Sequence, residues 1–363
     1  MGMDICYLIN QLAPGGAPTL LLDIVRQIDR EDISFTVAFI EGDDTLVSDF
    51  EDAGAEVVSF DADFKFDPRA LWRLFRFFRQ RSFDIVHTHL PYAQTLGRLG
   101  SLIGEHGAVV STQHNFQKHY HPITRNLEKA TQPIDDTTVG VSKAVVEDFG
   151  GSTHSTDWRV IYNGADIESI RRKIKDSETD NLYETEGLSP DDHIILSVGR
   201  YVEQKRQKDI IRAIERRDMS SQLILVGWGP KESLLKETAK EYEIADRVTV
   251  TGRVSEVWPY YAVADTFVSA SKLESFGIVF LEAMAADLPI IATEVPGAKE
   301  VLEQAESGVQ SVPPGDILAL AEVLEQSLNE PPTVDYTEAM EKFDIRKIAS
   351  EHIELYEELQ REI

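Results

Sequence analysis

Residues 266–292 read Thr266-Phe-Val-Ser-Ala-Ser-Lys-Leu-Glu-Ser-Phe-Gly-Ile-Val-Phe-Leu-Glu-Ala-Met-Ala285, then Ala286-Asp-Leu-Pro289 and Ile290-Ile-Ala292. A short β-branched run, a loop ending at Gly277, an apolar stretch of helical length and a second β-branched run make one βαβ unit. The same rhythm runs outward from it. Upstream lie the strand candidates Ile194 to Val198, Leu223 to Val226 and Val248 to Val250. The first half gives Ile5 to Ile9, Phe35 to Ile40, Val57 to Phe60, Ile85 to Val86, Val109 to Ser111, Thr138 to Val141 and Val160 to Tyr162, with helices expected at Leu20 to Ile28, Ala70 to Arg81 and Lys143 to Phe149. Ile174 to Asp192, rich in Asp, Glu, Ser and Thr, shows no apolar period and reads as a linker or irregular insertion.

The expected architecture is α/β: two Rossmann-like, doubly wound parallel-sheet domains, 1–170 and 171–345, with a last helix over 346–363 that packs back on the first. Parallel sheets bind ligands beyond the carboxyl ends of their strands, so a cleft between the two domains is the expected site. The chain's 363 residues are 42% apolar, enough for two cores, and 36 Lys+Arg against 63 Asp+Glu leave a net charge of −27. That charge speaks against nucleic acid as a partner. Carboxylates spread along the whole chain, with 21 Arg against 15 Lys, suit a protein working in concentrated salt, so a halophilic source is expected. The single Cys6 excludes an internal disulfide and a cysteine-based zinc site, and points to a reducing, cytoplasmic setting. Met1 to Ile9 reads as a strand without the basic start of a leader, and no run reaches the ~20 apolar residues of a membrane span.

Chemistry concentrates after the strands. Glu274 and Glu282 flank the start of the helix opened by Gly277, whose first amides face an anion while the carboxylates accept hydroxyl hydrogen bonds. Arg200 and Lys205, in Ser197-Val-Gly-Arg-Tyr-Val-Glu-Gln-Lys205, add two cations fit for a diphosphate. Gly15 and Gly16, after the first strand, let the backbone approach a ligand. Gly227-Trp-Gly229 lacks the third glycine of a dinucleotide fingerprint, which speaks against a dehydrogenase.

The glutamate pair, Gly199-Arg200 with Lys205, Gly15-Gly16, Val139-Gly-Val-Ser142 and Val160-Ile-Tyr-Asn-Gly-Ala-Asp166 together resemble the family 4 retaining glycosyltransferases, and along the chain they stand in that family's order. The resemblance implies the GT-B fold, a nucleotide-sugar co-substrate of UDP or GDP type, no metal, and an acceptor that is a cell-surface glycan or lipid-linked. It implies that Arg200 and Lys205 hold the diphosphate, Glu282 the ribose, and Glu274 the donor sugar. Gly199, Phe276, Gly277, Ile278 and Asn163 would line the donor, the base would lie near Arg253 and Val254, and His114 of Ser111-Thr-Gln-His114 would sit near the transferred sugar. A nucleotide-sugar epimerase and a non-catalytic nucleotide-sugar-binding partner remain as alternatives. Gln207, Trp228 and Asp287 depart from the family pattern, Gln207 replacing a small residue and Asp287 a turn glycine.

Two further features have competing readings. His87 and His89 form a His-x-His pair, but no Cys or nearby carboxylate completes a metal site. Arg69, Arg73, Arg76, Arg79 and Arg81 interleave with Trp72, Phe75, Phe77 and Phe78, either as a lipid-headgroup patch at the inner face of the membrane or as an ordinary amphipathic helix.

Overall fold

The computed structural model describes residues 2–42, 44–150, 156–216 and 221–362. It divides into two units, Met1–Gly164 with Ile345–Ile363, and Ala165–Asp344. The division falls ahead of the helix Ile167–Lys175, six residues before the expected boundary at 170.

The first unit carries β1 (Met3–Ile9), β2 (Ile33–Glu41), β3 (Glu56–Ala62), β4 (Ile85–His89), β5 (Ala108–Gln113), β6 (Thr137–Gly140) and β7 (Asp157–Val160), in the order β3-β2-β1-β4-β5-β6-β7. Every pairing is parallel. Central strands are buried along nearly their whole length, as helices on both faces require. The last helix, Ile345–Glu362, belongs to this unit: Ile353, Tyr356 and Leu359 share a core with Tyr7, Val37 and Val110.

The second unit carries β8 (His193–Val198), β9 (Ser221–Val226), β10 (Val248–Val250), β11 (Thr266–Ser269), β12 (Ile290–Thr293) and β13 (Val309–Val312), in the order β10-β9-β8-β11-β12-β13, again all parallel. Strand order reverses between β1 and β4 and between β8 and β11. Loops leaving these four strands therefore open at the switch points where such sheets bind ligands.

Two sequence expectations need correction, and one strand, β13, was not foreseen. The final strand of the first sheet is Asp157–Val160, not Val160 to Tyr162, because this edge strand alternates exposed with half-buried residues and hides among polar neighbours. β13 lacked any apolar run for the same reason. The supposed linker 174–192 is partly helical. Asp180–Glu186 folds around one buried residue, Leu182, and stops at the left-handed Gly187, so one apolar anchor in two turns left no period to see.

Candidate functional site

In the second unit, β8 runs into Gly199-Arg200 and a single turn, Glu203–Lys205, before the helix Gln207–Arg216. The loop is held to the next strand beyond the ends of both. Gly199 donates to the Val226 carbonyl and Tyr201 to the Trp228 carbonyl, each at 2.9 Å. A Cβ on Gly227 would stand 2.0 Å from the Gly199 carbonyl oxygen, and one on Gly229 2.5 Å from that of Tyr201, so both positions require glycine. Gln207, an unexplained departure in the sequence, is buried and donates to the Arg200 carbonyl at 2.9 Å. Its neighbour Arg206 stands in left-handed backbone, at φ +50. Asp287 adopts φ +53 after the helix Ile278–Ala285, the left-handed turn an aspartate tolerates.

Lys205 reaches across to Glu274: its ammonium donates to Oε1, which also accepts from the Ser271 hydroxyl at 2.8 Å. Glu274 is buried, so this cation and hydroxyl fix the carboxylate that the loop after β11 delivers. Gly277 precedes the helix Ile278–Ala285 at φ +93, and no side chain caps that helix, so first-turn amides remain available to a ligand. Phe276 is fully buried, edge-on to Phe343 at 5.3 Å, and anchors the loop. About one turn into the helix, Glu282 Oε2 accepts from the Tyr261 hydroxyl at 2.6 Å. Burial pushes its carboxyl above the ordinary range, and the Tyr261 hydrogen bond counters part of that rise. Arg200 and Arg253 are exposed, and both guanidinium carbons lie over the Trp228 ring, at 5.3 and 5.6 Å from its centre. Val254 follows Arg253 in the loop after β10.

In the first unit, Gly15 precedes the helix Gly16–Gln27, with no side-chain cap. A Cβ on Gly15 would have only the Ala13 carbonyl oxygen as a neighbour, at 3.9 Å, so this position is open to a ligand. His114 follows β5, buried, with Nε2 at 3.1 Å from Nδ1 of His89 at the end of β4. Burial holds the His114 imidazole down to about 4, hence neutral at pH 7. His87 lies two residues before His89 on the same strand face, between the Tyr356 hydroxyl at 2.5 Å and the Thr112 hydroxyl at 2.7 Å. No group of three or more His, Cys, Asp or Glu placed to hold a metal occurs among the described residues. Asn163 is buried, and its Oδ1 has no hydrogen-bond partner among the described residues.

Sequence reading missed Ser271, Tyr261 and Gly297. The first two position Glu274 and Glu282. A Cβ on Gly297 would meet the Glu274 carbonyl oxygen at 2.2 Å, so this glycine admits the glutamate loop. Only the Pro296-Gly297 pair carried a signal, that of a helix start. The hydroxyl partners, 3 and 21 residues from their glutamates, carried none.

Two parallel sheets, each with its loops gathered at a switch point, define a GT-B glycosyltransferase fold. Solved structures agree: Anabaena HepE in complex with UDP and glucose superposes with a TM-score of 0.82, at 21% identity, over 98% of this chain and 100% of that one. A sucrose-phosphate synthase from Thermosynechococcus elongatus gives 0.77 at 18% identity, over 99% and 100%. The Glycosyltransferase Family 4 pattern matches residues 14–169 and the Glycosyl transferases group 1 pattern residues 178–344. The chain belongs to this glycosyltransferase family. N-acetyl-alpha-D-glucosaminyl L-malate synthase of Bacillus anthracis is 28% identical over 63% of this chain, and the match spans 61% of that relative's length. Phosphatidyl-myo-inositol mannosyltransferase of Mycobacterium leprae is 26% identical over 81% of this chain and 78% of its own.

Proposed function

We propose that the protein transfers a sugar from a nucleoside diphosphate sugar, of UDP or GDP type, to a hydroxyl of a glycan or lipid-linked acceptor, with retention of anomeric configuration. The observation that carries this reading is the Lys205–Glu274 pair beside the uncapped helix start at Gly277. As the bond to the anomeric carbon lengthens, negative charge grows on the departing diphosphate, and Lys205, Arg200 and the helix amides stabilise it. Glu274, held by Lys205 and Ser271, accepts hydroxyl hydrogen bonds from the donor sugar and fixes its orientation. Glu282 offers its second carboxylate oxygen to the ribose, and neutral His114 orients the transferred sugar. The diphosphate itself takes the acceptor's proton, and no metal enters.

Similarity to a UDP-bound HepE and to lipid-glycosylating relatives supports the donor and acceptor classes. Among the described residues no helix is long and apolar enough to cross a membrane. A peripheral contact at the inner face of the cell membrane fits the exposed Trp72, Arg76 and Arg79 of the helix Pro68–Gln80.

Thermal shift against UDP, GDP, ADP and their sugar conjugates tests the donor site. One nucleotide should stabilise the wild type and not Arg200→Ala, and incubation of its sugar conjugate with Glu274→Ala should leave transfer at least ~100-fold below wild type. Full turnover by Glu274→Ala would sink the assignment. Turnover of the sugar conjugate without any acceptor would favour the epimerase.

A further inference from the structure

Trp228 stands between two obligatory glycines, is 46% exposed, and carries the guanidiniums of Arg200 and Arg253 over its ring. Neither arginine pairs with a carboxylate among the described residues, although Asp and Glu outnumber Lys and Arg by 63 to 36. The contrast with its neighbours is sharp: Lys205 is tied to Glu274, Arg206 to Asp209, and Lys231 to Glu203. A carboxylate partner offsets part of the charge that a cation can offer an anion, as Glu274 does for Lys205. An indole attracts a guanidinium through its electron-rich face without adding charge.

We propose that Trp228 is a positioning residue that holds Arg200 and Arg253 in place, free of carboxylates, to receive the diphosphate of the nucleotide donor. The proposal rests on the donor-site reading above and adds to it a residue that the family pattern does not supply. Two backbone features make the platform firm. The glycines bring its loop against Gly199 and Tyr201, and Gln207 pins the Arg200 carbonyl. The ring is already engaged by two cations, so it acts on the phosphates through them and not as a stacking face for the base.

Calorimetric titration of wild type, Trp228→Ala and Trp228→Phe with UDP and GDP, each beside uridine or guanosine, tests this. Trp228→Ala should weaken the bound diphosphate about tenfold, and Trp228→Phe should recover most of the loss, because it keeps an aromatic face. Nucleoside binding should change less than about twofold, and the effect on the diphosphate should shrink in an Arg200→Ala background. The exposed position makes the fold insensitive to the change, and an unchanged melting temperature checks it. Equal losses for nucleoside and diphosphate would overturn the proposal in favour of base stacking, and an unchanged diphosphate affinity would overturn it outright. Absence of diphosphate binding by the wild type itself would remove the donor-site reading and this proposal together.

Discussion

Arg98 and Arg200 occupy opposite kinds of environment. Arg98, in the first unit, is fully buried: Nε and Nη2 donate to Asp135 at 2.7 and 2.6 Å, Nη1 donates to Glu128 at 2.7 Å, and Thr131 takes a further bond. Asp135 also accepts from Ser111 and Thr138, and Glu128 from Gln113, which in turn accepts from Tyr120. Arg200, in the second unit, is exposed and faces an indole. A buried cation with every donor satisfied fixes a structure but has nothing left to give a ligand. An exposed one with no carboxylate contributes little to folding and keeps its charge for an incoming anion.

Mutating each arginine would break this contrast if it were wrong. Arg98→Met strands two carboxylates in the interior and should cost about 3–5 kcal/mol, read from urea unfolding, with nucleotide affinity unchanged where the protein stays folded. Arg200→Ala should do the reverse, leaving stability within about 0.5 kcal/mol and lowering transfer about a hundredfold. A costless Arg98→Met, or an unfolded Arg200→Ala, would erase the distinction.

A second arm of the comparison concerns pH. His87 and His89 on β4, His114 after β5 and His352 on the last helix are all buried, and burial lowers the pKa of each, His114 and His352 to about 4. An unfolded chain binds protons to these imidazoles below about 6.5, whereas in the folded chain His114 and His352 refuse them until about 4, and burial holds His87 and His89 well below their ordinary value. Stability should therefore be full above pH 6.5 and fall as pH drops towards 4. His352→Gln should remove about one proton from that dependence, near 1.4 kcal/mol per pH unit, measured by urea midpoints between pH 7 and 4.5. An unaltered slope would mean that His352 already titrates normally.

What the sequence revealed follows from the range of the interactions. Strands buried on both faces announce themselves as apolar runs, so β1, β8, β11 and β12 were legible, as were the glutamates and cations of loops that leave them. Edge strands β7 and β13, half polar, were not. Some partners that give site residues their state come from elsewhere in the chain, Tyr261 for Glu282 and His89 for His114, while Ser271 lies three residues from Glu274 in the same loop. Pairings of this kind have no periodicity. Trp228 was visible only as an oddity in a glycine pair, and its meaning needed the two guanidiniums above it.

The smallest expected effect tests whether the arginine contrast extends to the helix Pro68–Gln80. Its four arginines and Arg81, which follows it, do not act alike. Arg73 donates to the Phe60 and Asp61 carbonyls, Arg69 pairs with Asp63 and Asp67, and Arg81 pairs with Glu56, so these three serve the fold. Arg76 and Arg79 are exposed, without a carboxylate among the described residues, and Arg76 lies over the ring of the exposed Trp72 at 5.3 Å, as Arg200 lies over Trp228. With Phe75 and Ile103 they line one surface groove. On the same logic these two cations would be open to an anion, and the membrane contact proposed above would make that anion a lipid headgroup. Cosedimentation with phosphatidylglycerol vesicles at low salt should weaken roughly fivefold for each of Arg76→Ala and Arg79→Ala. Arg73→Ala should lower stability and leave vesicle binding unchanged, because its guanidinium is engaged by carbonyls near the end of β3. Equal vesicle binding by wild type and the Arg76→Ala, Arg79→Ala double variant would confine the unpaired-arginine argument to the donor site.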